Sequence, residues 1–179
     1  MKRAIIIFSV FVILSFFASC NKPKQKISDS SISSALSSPY DTEMSVSYKD
    51  ISFDARIHKI LPGYCDIYFT SPESLNGLSV SFKKDIAEFD YKGISFSLDP
   101  DEISGSAAVS LILKALEKAS SAEGLDFSLD GSAVCVCGEI SGSRFELRLD
   151  PKNYNLFTLR SPENDLYVEF KNFDFVKTE

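Results

Sequence analysis

The stretch from residue 44 to residue 58 reads MSVSYKDISFDARIH, and its apolar residues recur at every second position. Apolar side chains alternate with serine from Met44 to Tyr48, and with polar or charged side chains from Ile51 to Ile57. Successive side chains of a β-strand point to opposite faces of a sheet, so this pattern is typical of strands with one buried face. The stretch predicts two antiparallel strands joined by a tight turn at Lys49-Asp50.

The same alternation continues along most of the chain. Further runs lie at residues 65–69, 78–82, 87–91, 94–98, 125–129, 133–137, 145–149, 155–160 and 166–170. Turn-forming pairs such as Pro62-Gly63 and Asp130-Gly131 separate them. About ten or eleven sequential strands with short links predict an antiparallel meander, which must curl because its single apolar face would otherwise stay exposed.

One segment has a helical period instead. Residues 106–120 carry an apolar stripe at the spacing of an amphipathic helix, formed by Ala108, Leu111, Ile112, Ala115 and Leu116. Ser104 or Ser106 can cap its start, and Gly124 can end it. The sequence therefore predicts a mainly β (α+β) fold. Its curled antiparallel sheet forms a half-open β-barrel, with one principal helix as a lid after the sixth strand.

The first twenty residues have the order of a secretory signal. Lys2 and Arg3 precede an apolar run over residues 4–17, which is short for a membrane-spanning helix. The following Phe17-Ala18-Ser19-Cys20 resembles the lipobox of bacterial lipoproteins, whose cysteine receives a lipid after cleavage on its N-terminal side. This resemblance implies a signal peptide at residues 1–19 and lipidation of Cys20. The alternative is an uncleaved signal anchor in which Cys20 is incidental.

The segment after Cys20 is rich in serine and lysine, which favours a flexible tether over residues 20–41 and a single domain over residues 42–179. Ile27, Ile32 and Leu36 could instead line a short helix docked on that domain. The lipid anchor implies an exported protein on the outer face of the cell membrane, or on the outer membrane where a cell has two. Its oligomeric state is left open.

Charge and reactive residues restrict the possible functions. The net charge of −6 disfavours nucleic acid as a partner, because nucleic-acid binding requires clustered Lys and Arg. The favoured prediction for the remaining cysteines is that they are unpaired core thiols: Cys65, Cys135 and Cys137. A disulfide from Cys65 to one of the others is left open. The lone His58 has no evident nucleophile or orienting carboxylate, so no catalytic residue, metal site or cofactor is predicted.

The predicted architecture resembles the lipoprotein-carrier fold of LolA, LolB and RseB, over about residues 44–175. The phrases at residues 69–78 and 91–96 also resemble uncharacterised lipoproteins of clostridial-type bacteria. In the carrier proteins a concave apolar face binds acyl chains of lipoprotein cargo. Arg56 falls on the polar side of its strand, so the polar residue used inside the cavities of these carriers has no assigned counterpart here.

The resemblance and the eleven phenylalanines between Phe53 and Phe175 point to an apolar ligand, such as a lipid or a lipoprotein. The candidate ligand-binding residues are Phe82, Phe89, Phe96, Leu111 and Leu116, since the three phenylalanines lie on neighbouring strands expected to face the helix. The alternative for these residues is a filled core. The alternative function is a structural lipoprotein that docks another protein of the cell envelope without a ligand cavity.

Overall fold

The computed structural model describes residues 29–84, 86–100, 102 and 107–176. It contains one antiparallel sheet of eleven strands, which is curled and not closed, as the alternation predicted. Its first six strands are β1 (Tyr40–Tyr48), β2 (Ile51–Leu61), β3 (Tyr64–Ser71), β4 (Leu78–Lys83), β5 (Ile86–Tyr91) and β6 (Ile94–Leu98). The remaining strands are β7 (Asp126–Asp130), β8 (Ala133–Ile140), β9 (Ser143–Leu149), β10 (Leu156–Ser161) and β11 (Leu166–Phe175). Helix α1 (Asp29–Ser37) precedes the sheet, α2 (Ala108–Ser121) follows β6, and a 3₁₀ turn spans Pro162–Asn164.

The strand order is β6-β5-β4-β3-β2-β1-β11-β10-β9-β8-β7. Each half of the sheet is the predicted meander, but the two halves meet where β1 pairs with β11, which the alternation did not predict. Val46 lies opposite Val168 and Met44 opposite Phe170 in this pair. The free edges are therefore β6 and β7, the two strands that flank α2 along the chain.

One face of the sheet forms the core with both helices. Residues opposite each other in neighbouring strands share a face, and one such row runs from Ile57 through Ile67 to Val80 and Phe89. The first three of these residues are buried. Helix α2 contributes Leu111, Ile112, Ala115 and Ala119 to the same core. Burial of apolar surface stabilises a fold by about 25 cal/mol per Å². The face shared by the sheet and the helices is therefore the main stabilising element of the fold.

The ends of α2 differ from the expected ones. The helix begins at Ala108 with Ala107 as its N-cap, whereas the prediction placed the cap at Ser104 or Ser106. Both serines lie outside the described residues. At the other end the backbone becomes left-handed at Ala122, two residues before the expected Gly124. The local backbone at Ala122 ends the helix, and the apolar stripe between the two ends is confirmed.

The predicted tether is too long at its C-terminal end. Residues 29–37 form α1, and β1 begins at Tyr40 instead of Met44. Ile32 and Leu36 are 0% and 1% exposed and pack in the core, so the docked helix considered as an alternative is correct for these two residues. Burying them stabilises the helix, which is too short to be stable in isolation. Residues 1–28, including Cys20 and the predicted signal peptide, lie outside the described residues.

A candidate ligand cavity beneath the second helix

A cavity of about 340 Å³ lies between α2 and the end of the sheet formed by β2, β3 and the start of β1. The sheet contributes Tyr40, Ile57, Lys59, Cys65 and Phe82 to its lining, and the helix contributes Ser110, Leu113, Lys114, Leu116 and Glu117. The β2–β3 turn, with Lys84 and Pro100, completes the wall. Hollows of about 690 and 780 Å³ elsewhere are lined mainly by polar, charged and turn residues. The cavity under α2 opens on the core face of the sheet, where Ile57 and Cys65 pack.

Four of the lining residues form a single row across β1 to β4. Tyr40 lies opposite Lys59, Lys59 opposite Cys65, and Cys65 opposite Phe82. All four therefore point to the core face, and we call them the cavity row. The row contains a hydroxyl, an ammonium and a thiol where the rest of this face is largely apolar. Such a cluster in a cavity is a candidate binding site.

Lys59 is the charged member of the cavity row, and its residue is only 7% exposed. Its Nζ donates hydrogen bonds to the carbonyl of Leu36 at 2.7 Å and, more weakly, to that of Ser38 at 3.4 Å. These carbonyls lie at the C-terminal end of α1, where helical carbonyls have no partners within the helix. Burial lowers the pKa of the ammonium to about 8, against the opposing effects of Cys65 and Glu117.

Tyr40 is fully buried, and its hydroxyl has no hydrogen-bond partner among the described residues. The Lys59 Nζ lies 5.3 Å from the centroid of the Tyr40 ring. Burial, together with Cys65, raises the pKa of the phenol, so the hydroxyl stays protonated at any physiological pH. It is therefore a donor without an acceptor, an arrangement that costs about 1–3 kcal/mol.

Cys65 is a weak nucleophile in this position. Burial, with a contribution from Asp66, raises the pKa of its thiol to about 12, although Lys59 acts in the opposite direction. The thiolate is the reactive form of cysteine, and it is scarce at neutral pH with such a pKa. Cys65 thus serves the site as a small, polarisable wall residue.

The charges around the cavity are mostly positive, in contrast to the net charge of −6 on the whole chain. Lys59, Lys84 and Lys114 line it, and Glu117 is the one carboxylate among the described residues of the lining. Lys84 is exposed and Lys114 is half-buried, so these two ammonium groups lie toward the solvent while Lys59 lies inside. The resulting local field favours a negatively charged ligand.

The five candidate ligand-binding residues are not brought together. Phe82 and Leu116 line the cavity. Leu111 is 1% exposed and belongs to the filled core, outside the lining. Phe89 is partly buried against the core and stacks on Phe96 with 4.9 Å between ring centroids. Phe96 itself is 52% exposed, because β6 is the free edge and α2 does not cover it.

The missed residues are Lys59 and Tyr40. The alternation through Ala55 and Ile57 continues to Lys59, which places this lysine on the core face by the same rule that predicted the strand. Tyr40 was assigned to the tether and was therefore not considered. Arg56, by contrast, is on the outer face as predicted, where it pairs with Glu43 at 3.3 Å.

The three described cysteines are free, as predicted, but only Cys65 packs in the predicted core. Cys65 is on β3 in one half of the sheet, while Cys135 and Cys137 are on β8 in the other. Val134 and Val136 face the core, so Cys135 and Cys137 lie on the outer face, opposite Arg148 and Glu146 respectively.

His58 is also on the outer face, where its Nδ1 lies 2.8 Å from the Asp41 carboxylate. The expectation that no carboxylate orients this histidine was wrong. Among the described residues there is no group of three or more His, Cys, Asp or Glu side chains that could hold a metal ion. None of the helices in the described part of the chain is long and apolar enough to cross a membrane.

Comparison with known proteins places the chain by its fold. No protein-family model matches it, and no curated protein matches it. An uncharacterised conserved protein from Thermus thermophilus matches with a TM-score of 0.54 and 12% identity, over 83% of this chain and 85% of that chain. A chain of the complex between the CwlD amidase from Clostridioides difficile and the GerS lipoprotein matches with a TM-score of 0.50 and 14% identity, over 76% and 86%.

A LolA superfamily protein from Nitrosomonas europaea, NE2245, also matches, with a TM-score of 0.46 and 8% identity, over 86% of this chain and 96% of that chain. The two structures with TM-scores of 0.54 and 0.50 share the fold of this chain, a curled, unclosed antiparallel sheet with helices on its core face. Identities this low show the fold alone.

Proposed function

We propose that this chain is a membrane-anchored bacterial lipoprotein whose domain binds a lipid or another apolar ligand in the cavity beneath α2. The observation that carries the proposal is the cavity of about 340 Å³ on the core face of the sheet. Its walls are built from Ile57, Phe82, Leu113 and Leu116, with polar atoms at a few positions. Ligand sites are typically of this kind, about 300–1,000 Å³ in volume and mostly apolar with a few placed polar groups.

The proposed anchor complements the cavity. Cleavage before Cys20 and lipidation of its thiol would leave nine residues, 20–28, ahead of α1. Nine extended residues span roughly 30 Å at most, so the domain would stay close to the membrane surface. A ligand leaving the bilayer would have a short path to the cavity. The protein would be exported, on the outer face of the cell membrane or, in a cell with two membranes, on the outer membrane.

The anchor can be tested separately from the cavity. Cells that produce the Cys20→Ala variant should contain unprocessed chain without incorporated radiolabelled fatty acid, whereas Cys65→Ala should be processed and labelled normally. Lipid labelling that persists in Cys20→Ala would disprove the anchor and leave the proposed binding site untouched.

Native mass spectrometry of the full chain, extracted from membranes in mild detergent, tests the cavity. We expect the protein to carry one additional lipid mass that delipidation removes. Leu113→Trp should fill the mouth of the cavity and abolish this mass. Ser121→Trp, at the exposed end of the same helix, should retain it. An unliganded mass that does not change after incubation with mixed envelope lipids would disprove the proposal.

A second candidate function rests on a separate observation. Ile94 and Phe96 on edge strand β6 are 70% and 52% exposed, and no strand of the described residues pairs with the outer side of β6. Apolar, unpaired edges accept strands from other proteins. One of the matched structures is a complex of an amidase with a lipoprotein. If the chain docks an envelope protein through this edge, Ile94→Lys should abolish the co-purification of that protein, while Ile51→Lys, at another exposed position, should not.

A further inference from the structure

We infer that the cavity binds an amphiphile with a single chain through its negatively charged oxygen group, which accepts hydrogen bonds from Lys59 Nζ and Tyr40 Oη. The inference rests on the proposed function and specifies the ligand class. The shared chemistry is that of a carboxylate or a phosphate at the end of an alkyl chain. The residues of both buried donors line one cavity, together with the exposed Lys84 and the half-buried Lys114, and this shared location is what the inference uses.

The first step concerns the donors of Lys59. A protonated lysine has three N–H donors, and the two carbonyls of Leu36 and Ser38 accept two of them. Because Lys59 lines the cavity, its third N–H donor remains for a ligand. An ammonium removed from water is strongly stabilised by an anionic oxygen, because charge-assisted hydrogen bonds are the strong ones.

The second step concerns Tyr40, the neighbour of Lys59 in the cavity row. Tyr40 lines the cavity, and its hydroxyl is fully buried and has no acceptor among the described residues. A purely structural role for Lys59, holding the end of α1, would leave this hydroxyl unexplained. An oxygen-bearing ligand head would satisfy it.

The third step concerns charge and size. Lys84 and Lys114 at the solvent side would attract an anion, and Glu117 offsets only one of the three positive charges. A volume of about 340 Å³ is at the lower end of the range for small-ligand cavities, which favours one alkyl chain over a lipid with several. Ile57, Phe82 and Leu116 would contact that chain.

The experiment uses the full chain in phosphatidylcholine nanodiscs and three photoreactive probes. Each probe has the same sixteen-carbon chain with a diazirine, and they end in a carboxylate, a phosphate or an alcohol. Crosslinked peptides from the cavity are quantified by mass spectrometry. Because the chains are identical, the ratio of anionic to alcohol labelling isolates the recognition of the head group.

We expect at least one anionic probe to label the wild-type cavity about tenfold more than the alcohol does. A tenfold ratio corresponds to a difference of roughly 1.4 kcal/mol in binding free energy. Lys59→Met and Tyr40→Phe should each reduce this ratio, and Lys59→Arg should largely retain it. Lys171→Met removes an exposed lysine from another strand and should leave the ratio unchanged. Circular dichroism confirms that each variant is folded.

The outcomes separate the two proposals. Equal labelling of the wild-type cavity by all three probes would overturn the anionic head-group site and leave the proposed apolar binding function standing. Crosslinks confined to residues outside the cavity would overturn both. Preference for the carboxylate or for the phosphate identifies which anionic group the site accepts. The ratio of anionic to alcohol labelling in the wild-type protein tests the head-group site even if Lys59→Met does not fold.

Discussion

At the scale of single residues, Lys59 and Tyr40 account for most of what distinguishes this cavity from a filled core. Each is on the core face, and each is costly there when no ligand is bound. Lys59 is a desolvated charge that only backbone carbonyls at the end of α1 compensate. Tyr40 is an unpaired donor. Groups that lower stability and converge on a cavity are typical of sites that are completed by a ligand.

Tyr40→Phe should therefore stabilise the ligand-free protein. The substitution removes an unpaired hydroxyl and retains the ring, so we expect the free energy of unfolding to rise by about 1 kcal/mol. Urea unfolding of delipidated protein measures this change. Tyr68→Phe, at a tyrosine that is 46% exposed, should change stability by less than about 0.5 kcal/mol. A loss of stability in Tyr40→Phe would show that its hydroxyl has a partner.

The charge of Lys59 should make stability depend on pH. The unfolded lysine titrates at 10.5 and the folded one at about 8, so between these values the unfolded state binds more protons. The free energy of unfolding should then rise with pH, by about 1 kcal/mol from pH 8 to pH 9 relative to Lys59→Met.

Measuring the difference between the two proteins is necessary because Cys65 has the opposite effect. Its pKa rises from 9.0 to about 12 on folding, so it lowers stability above pH 9 in both proteins. Lys171→Met, at an exposed lysine, should follow wild type throughout. If wild type and Lys59→Met differ by a constant amount across this range, the ammonium is not desolvated.

Residue positions were predictable from the sequence where strand alternation determines them. The rule places Arg56 and His58 on the outer face. It also places Lys59 on the core face, although a charged residue is not expected there. The same rule could not decide β8, where apolar residues occupy both faces from Ala133 to Cys137. The contact of Val134 and Val136 with the core settles that question, and it depends on packing that no local pattern contains.

At the scale of elements, α1 is the helix that the sequence patterns assigned to a flexible tether. Its composition is that of a tether, with five serines in nine residues. Two buried side chains, Ile32 and Leu36, and the hydrogen bonds from Lys59 hold it against the core. Local propensity is a weak guide when tertiary packing contributes most of the stability of a short helix.

Leu36→Ala should detach this helix. Removing a fully buried leucine costs about 2–4 kcal/mol, and the loss should be concentrated in α1 because Leu36 is one of the two buried side chains that pack this helix on the core. Hydrogen exchange of residues 30–37 and urea unfolding measure the local and global effects. Ser31→Ala, on the exposed side of the same helix, should change neither. Equal exchange in Leu36→Ala and wild type would mean that α1 stays docked without this side chain.

At the scale of the whole molecule, the sheet has a graded burial from centre to edges. β1 alternates buried and half-buried residues along most of its length, whereas every residue of β6 is exposed. The number and order of the strands and the place of α2 were predictable, because each depends on local alternation or helical period. The pairing of β1 with β11 was not predictable. It joins segments more than a hundred residues apart, and local alternation does not indicate which distant strand pairs with which.

This gradient predicts how the amides exchange. Amides paired between β1 and β11 should exchange slowest, because opening them requires disruption of the central core, while β6 and β7 should exchange fastest. Hydrogen exchange with peptide-level mass spectrometry provides the test. Val168→Ala at the centre should accelerate exchange in most strands, whereas Ile94→Ala at the edge should accelerate it in β6 alone. Slow exchange in unliganded β6 would indicate that another chain covers this edge.

The pairing of β1 with β11 also determines the order in which the protein can fold. The ribosome makes β1 before the other ten strands and β11 after them, so the central pair of the sheet cannot form until all eleven strands have been synthesised. Contacts that distant in sequence fold slowly, since the chain must close a long loop before they form. The core of this sheet is therefore completed late, because the two strands at its centre are the first and the last of the eleven.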